Sequence, residues 1–90
     1  MTNTYERDAL YLDYIRSQAC LVCGCSGVDP HHQPRRGHGA TSLKVSDYRT
    51  VPLCRRCHDD YGQLSWELYR RRGIDVEAVI VLLNSGYFFA

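Results

Sequence analysis

The sequence has no apolar run long enough to cross a bilayer, which argues against a membrane-spanning segment. Its opening residues, MTNTYERDAL, lack the basic-then-apolar pattern of a secretory signal. Internal repeats and low-complexity linkers are missing as well. Net charge is scarce, only +1, so the chain as a whole is no polycation. Its five cysteines are odd in number and cannot all pair as disulfides. These absences predict a reduced, cytoplasmic setting with no membrane partner.

The 90 residues suffice for one domain. A chain this short has a marginal core and often needs a metal, disulfides or a partner to hold it together. Its 44% hydrophobic and 23% charged residues are ordinary for a folded globular protein.

Charge distribution is more telling than the total. Residues 1–34 and 59–90 each carry a net charge of −2, whereas residues 35–58 carry +5. That middle segment holds Arg35, Arg36, Lys44, Arg49, Arg55 and Arg56 against Asp47 alone. A basic stretch beside histidines suits a polyanion such as nucleic acid, although a solvated surface would show the same pattern.

Asn3 followed by Glu6 resembles a capping box. Leu10, Tyr11, Tyr14 and Ile15 then recur at helical spacing, predicting a helix over residues 4–19. Gly27–Gln33 reads as a short strand, and Thr41–Val45 as its return strand. Ser46–Arg49 reads as a turn. Pro52 fits the first turn of a second helix carrying Leu53, Cys54, Cys57, His58 and Tyr61. Leu64–Arg72 continues helical to a stop at Gly73. Asp75 caps a last helix over Val76–Ser85. The aromatic end, Tyr87-Phe88-Phe89, either packs back on the core or covers a partner subunit.

Cys20-x-x-Cys23 and Cys54-x-x-Cys57 are separated by 30 residues. Four thiolates fill a tetrahedral Zn²⁺ shell and leave no open position, which is the structural type of site. Gly24 permits the backbone to fold back beneath the sulfurs. Cys25 reads as a free fifth thiol. The clip joins the end of the first helix to the start of the second, and its metal affinity is largely folding free energy.

Four histidines remain: His31, His32, His38 and His58. His38, between two glycines, reads as solvated. In a strand, neighbouring side chains point to opposite faces. Only one of His31 and His32 would therefore point at His58, which the clip pulls toward the strand. One imidazole would bind a metal with His58 while the other stays free to take a proton.

The series Cys20-x-x-Cys23, His31-His32, Asp47 and Val51-Pro-Leu-Cys-Arg-Arg-Cys-His58 resembles the zinc-containing HNH endonucleases, many of them phage-associated. The match spans Cys20 to Tyr61, about half the chain. The resemblance implies an α+β fold: a small zinc-stapled ββα-metal (HNH-like, His-Me finger) core at 20–63. Around it lie the helix at 4–19 and C-terminal helices at 64–90. It also implies that His32 is the general base activating water, and that His31 and His58 hold a divalent ion, Mg²⁺ or Mn²⁺ before Zn²⁺ or Ni²⁺. Products would be 5′-phosphate and 3′-hydroxyl ends. Asp47 stands nearest the middle Asn of the family name, a little further from the cysteine than that pattern has it. Tyr61 and Gly62 occupy the places where a further helix ligand often sits, so Asp47, Asp59 or water would complete the shell.

The function so implied is metal-dependent hydrolysis of DNA phosphodiesters, by nicking or double-strand cleavage. The six basic residues of the middle segment would contact phosphates. Two alternatives share the zinc clip. One is a non-catalytic nucleic-acid-binding module with a degenerate HNH core. The other is a protein–protein adaptor. A homodimer, or a phage or host protein, would use the aromatic tail.

Overall fold

The computed structural model describes residues 6–33, 45–61 and 65–89. Helix α1 runs Ala9–Arg16, strand β1 Val28–His32 and strand β2 Thr50–Cys54. Helix α2 runs Arg55–Tyr61, α3 Ser65–Arg71 and α4 Val76–Phe88. A single 3₁₀ turn, Asp47–Arg49, leads directly into β2. The molecule is a small α+β domain whose sheet, among the described residues, has two antiparallel strands.

The first helix starts later than its periodicity predicts. Asp8 is the N-cap, and its carboxylate accepts the Tyr11 N–H at 3.0 Å. Glu6 is engaged elsewhere: its carbonyl accepts the Asp47 N–H at 2.9 Å, and its carboxylate accepts the Ser46 hydroxyl at 2.6 Å. A side chain tied to a distant turn does not reach back to a local cap, so Asp8 serves. Asn3 lies outside the described residues.

The return strand is Thr50–Cys54, in register from Val28 opposite Cys54 to His32 opposite Thr50. Of the expected return strand at Thr41–Val45, residues 41–44 lie outside the described ones. Pro52 therefore sits in the middle of a strand and does not open a helix, and it faces Pro30. Gln33 N–H donates to the Arg49 carbonyl at 2.8 Å, one step beyond the strand ends. Hydrogen-bonded pairs alternate along an antiparallel ladder. That phase makes His31–Val51 and Asp29–Leu53 the bonded pairs and Pro30–Pro52 a non-bonded one. Neither proline is then asked for an N–H it does not have. The Pro52 carbonyl points away from β1 and accepts the Leu21 N–H at 2.8 Å, which ties the first cysteine turn to β2.

Every residue of β2 is buried. Val51 and Leu53 join Val28, Tyr69, Val76, Ile80 and three of the cysteines in one core cluster. A second, aromatic cluster lies between α1 and α4. Tyr11 meets Tyr48 and Tyr87 edge-on at centroid distances of 5.0 and 4.8 Å. Asn84 donates to the Tyr11 hydroxyl at 2.7 Å and to the Tyr48 carbonyl at 3.0 Å. Tyr87 and Phe88 thus fold back as the last turn of α4, which is longer than expected; Phe88 keeps one side exposed, and Phe89 is exposed almost entirely. Gly73, with φ of +73°, closes the turn after α3. No described helix is long and apolar enough to cross a membrane.

Candidate functional site

The two cysteine pairs meet where the turn after α1 packs against the junction of β2 and α2. The sulfurs of Cys20, Cys23, Cys54 and Cys57 all lie within 4.8 Å of one another. They are positioned to hold one metal ion. Backbone N–H groups prepare the site for thiolates. Burial pushes the Cys20 thiol up, but N–H groups of Cys23, Cys54 and Val22 outweigh it and bring the value down to about 6. The Cys57 N–H likewise lowers Cys54. Gly24, with φ of +79°, turns the chain after Cys23. Cys25 stands 3.3 Å from Cys23 and outside the four-sulfur cluster. Hydrogen bonding to Cys23 and Cys54 pushes its thiol up to about 12.

At the far end of β1 the two adjacent histidines part. His31 is buried, and its Nδ1 lies 3.2 Å from Nε2 of His58 on α2, with the rings nearly perpendicular. Burial, then the neighbouring His58 and His32, bring His31 down to about 4 against a weaker opposing contact with Gln33. The ring is therefore neutral near pH 7, the form that donates a lone pair.

His32 turns the other way. Its Nε2 lies 2.8 Å from Oδ1 of Asp47, and its side chain is 37% exposed. Asp47 is buried and held by more than the histidine: its Oδ2 accepts the Asp8 N–H at 2.7 Å, and Arg7 approaches to 4.0 Å. Burial pushes Asp47 up, but His32 and the Asp8 N–H outweigh it and leave the carboxyl below its ordinary value. An ionised carboxylate only accepts, so in the neutral ring Nε2 of His32 is the donor and Nδ1 carries the lone pair. Asp47 thus belongs with His32 and not with the His31–His58 pair. Among the described residues, the four cysteines are the one cluster of three or more metal-ligating side chains, so neither Asp47 nor Asp59 joins the two histidines.

The basic residues divide. Arg49 is mostly buried, donates to both carboxylate oxygens of Glu77, and reaches the Gln33 carbonyl at 3.1 Å. It clamps α4 to the end of the sheet and is not placed to meet a phosphate, a correction to its expected role. Arg55 is exposed and pairs with Asp29 at 2.9 Å, and Arg56 is exposed beside it. Arg35, Arg36, Lys44 and His38 lie outside the described residues. Asp8 and Arg7, the supports of Asp47, were not singled out by motif or spacing. Their signal is tertiary, since Asp8 and Asp47 are 39 residues apart in sequence. A shallow groove of about 360 Å³ between α3 and α4, lined by Trp66, Arg70 and Asp75, holds none of these groups.

Fold and site together define a small α+β domain built around four cysteines positioned to bind a metal, with a histidine pair and a His–Asp pair on one strand end. The family model described as "Protein of unknown function (DUF968)" matches residues 3–88, and the chain belongs to that family. It is similar to the uncharacterized protein YdfU of Escherichia coli strain K12, at 36% identity over 50 residues. That stretch is 56% of this chain and only 14% of the relative. No solved structure matches the chain.

Proposed function

We propose that this domain is a metal-dependent endonuclease of the HNH type that hydrolyses phosphodiester bonds in DNA. One observation carries the reading. His31 and His32 leave β1 on opposite faces, the first 3.2 Å from His58 and the second 2.8 Å from Asp47. A pair of imidazoles for a cation then stands next to an imidazole oriented to take a proton.

The donor geometry fits both ions. Four sulfurs at about 2.3 Å from a tetrahedral zinc are roughly 3.8 Å apart. Cys23 and Cys54 are separated by 3.7 Å. Two imidazole nitrogens about 2.1 Å from one ion are roughly 3.0–3.4 Å apart. His31 and His58 match that spacing at 3.2 Å. His31 and His58 would hold the divalent ion, Mg²⁺ or Mn²⁺ before Zn²⁺ or Ni²⁺, which would supply charge stabilisation at the leaving 3′ oxygen and the phosphorane.

The chain's own residues do the rest. His32 accepts the proton of the attacking water at Nδ1. Asp47 holds the ring in that tautomer and stabilises the imidazolium that forms, the role a carboxylate plays behind a catalytic histidine. Arg55 and Arg56, with Arg35, Arg36 and Lys44, hold the DNA backbone and read little sequence. A second reading, a nucleic-acid-binding module without cleavage, has one observation in its favour: no third protein ligand converges on His31 and His58 among the described residues.

Supercoiled plasmid incubated with Mg²⁺, Mn²⁺ or Ni²⁺, beside an EDTA control and a folded, zinc-loaded His32→Ala chain, tests the reading. Nicking or linearisation by the wild type that is lost in the variant is expected. No cleavage by the wild type with any of these metals, on duplex or single strands, would sink the nuclease reading in favour of the binding module.

A further inference from the structure

Helix α4 is apolar on two sides. Val76 and Ile80 face the core, and Asn84 and Tyr87 face α1 and the 3₁₀ turn. The opposite side carries Ala78, Val81, Leu82, Ser85 and Phe89, all exposed, and Phe88, half-exposed with one side of its ring against Tyr48, forms its edge. Between residues 78 and 89 there is no Asp, Glu, Lys or Arg. Glu77, the one charged residue of the helix, is engaged by Arg49. A helix whose water-facing side is this apolar ordinarily has something packed against it.

We infer that this outer face of α4 is the self-association surface of the domain, and that two copies pair there antiparallel about a two-fold axis. Three observations select a second copy as the occupant. First, the spacing is heptad-like: 78 and 85, 81 and 88, and 82 and 89 repeat every seven residues, which is the seam two helices share. Second, the face complements itself in size. An axis crossing α4 between Leu83 and Asn84 sets Leu82 against Ser85 of the other copy, and Ala78 against its Phe89. Large meets small in each case, as an isologous contact requires.

Third, the area suffices. Val81, Leu82, Phe88 and Phe89 are 62%, 70%, 53% and 84% exposed. With whole side chains of this class near 150–250 Å², they offer on the order of 500 Å² per copy. The pair would bury about 1,000 Å² in total, the threshold for a specific interface. With no charge on the face, charge complementarity has no part in choosing the partner. The inference does not depend on the nuclease reading, since the histidines and the cysteine cluster lie on other elements.

Sedimentation equilibrium of the intact, metal-loaded chain, from micromolar to sub-millimolar concentration, tests the pairing. The wild type is expected to show a reversible monomer–dimer equilibrium. Leu82→Glu and Ser85→Lys, both at exposed positions, should each raise the dimer dissociation constant at least about tenfold. Far-UV circular dichroism and metal content should stay unchanged. An equimolar mixture of the two variants should dimerise again, because position 82 of one copy meets position 85 of the other twice. A monomeric wild type at every concentration would overturn the inference and assign the face to another protein or to a further segment of a longer chain. A dimer that survives both substitutions, or a mixture that stays monomeric, would overturn it as well.

Discussion

His32 donates through Nε2 to the buried carboxylate of Asp47 at 2.8 Å, across 15 positions of sequence. The contact sets which nitrogen of His32 carries hydrogen and which stays open. It also joins the end of β1 to the 3₁₀ turn that precedes β2. On the far side of Asp47 the Asp8 N–H completes the grip, so the entry to α1 helps aim a histidine that it never touches.

Replacing Asp47 by Asn should separate orientation from folding. The amide oxygen still accepts the Asp8 N–H, but the amide nitrogen presents a donor to His32 and favours the wrong tautomer. Plasmid cleavage should fall by about 10²-fold or more in kcat with little change in KM, while the melting temperature moves little. A melt that collapses together with activity would make Asp47 a folding residue only.

The cysteine cluster should be inseparable from stability. Mass spectrometry under native conditions should find one zinc held by the four cysteines, and strong chelation should unfold the chain cooperatively. Cys54→Ser should lose the ion and the near-native circular dichroism together. Cys25→Ser should keep both, since Cys25 lies outside the cluster. Loss of zinc in the Cys25 variant would redraw the ligand set.

Arg49→Ala should cost stability and leave DNA binding alone. The substitution removes two hydrogen bonds to Glu77 and one to the Gln33 carbonyl, at a cost of about 1–3 kcal/mol for hydrogen bonds that involve a charged group. Arg56→Ala should do the reverse, weakening DNA binding and lowering its salt dependence by about one ion. Urea titrations beside filter binding at two salt concentrations distinguish the pair. A flatter salt slope for the Arg49 variant would restore it as a phosphate contact.

Acid should loosen the α1–α4 junction through Asp8. Its carboxylate accepts the Tyr48 hydroxyl at 2.6 Å and the Tyr11 N–H at 3.0 Å, which hold its pKa below 3.8. A lowered folded value contributes stability that is fully present above the unfolded value and lost as pH falls through the folded one. Melting temperature followed from pH 5 downward, referenced to Asp8→Asn, should show the wild-type advantage shrink below about pH 4. The reference is needed because thiolate protonation would release a metal held by the cysteines in the same range. An advantage that is constant with pH would remove Asp8 from the linkage.

Much was legible in one dimension because it depends on spacing alone. Two Cys-x-x-Cys pairs bring four sulfurs together whatever the intervening chain does, and they do so here. Alternation along a strand dictates that His31 and His32 part, and His58 follows a cysteine of the cluster on a helix as its position requires. The turn chemistry of Gly24 and the caps of α4 and α3 are equally local.

Other features needed the assembled molecule. Pro52 satisfies a helix N-terminus and a non-bonded strand position equally well, and only the phase of pairing with β1 decides for the strand. Glu6 fits a local capping box but is claimed by Ser46 and Asp47, so Asp8 caps α1. Arg49 belongs to a basic run in sequence, yet burial against Glu77 removes it from the surface. The sequence by itself determined the four-cysteine cluster, the last two helices and the divergence of the two histidines, because periodicity and short spacings act within a few residues. Tertiary structure alone decided what His32 faces and which arginines stay exposed, because those partners come from distant segments and their competition is settled only when the chain closes on itself.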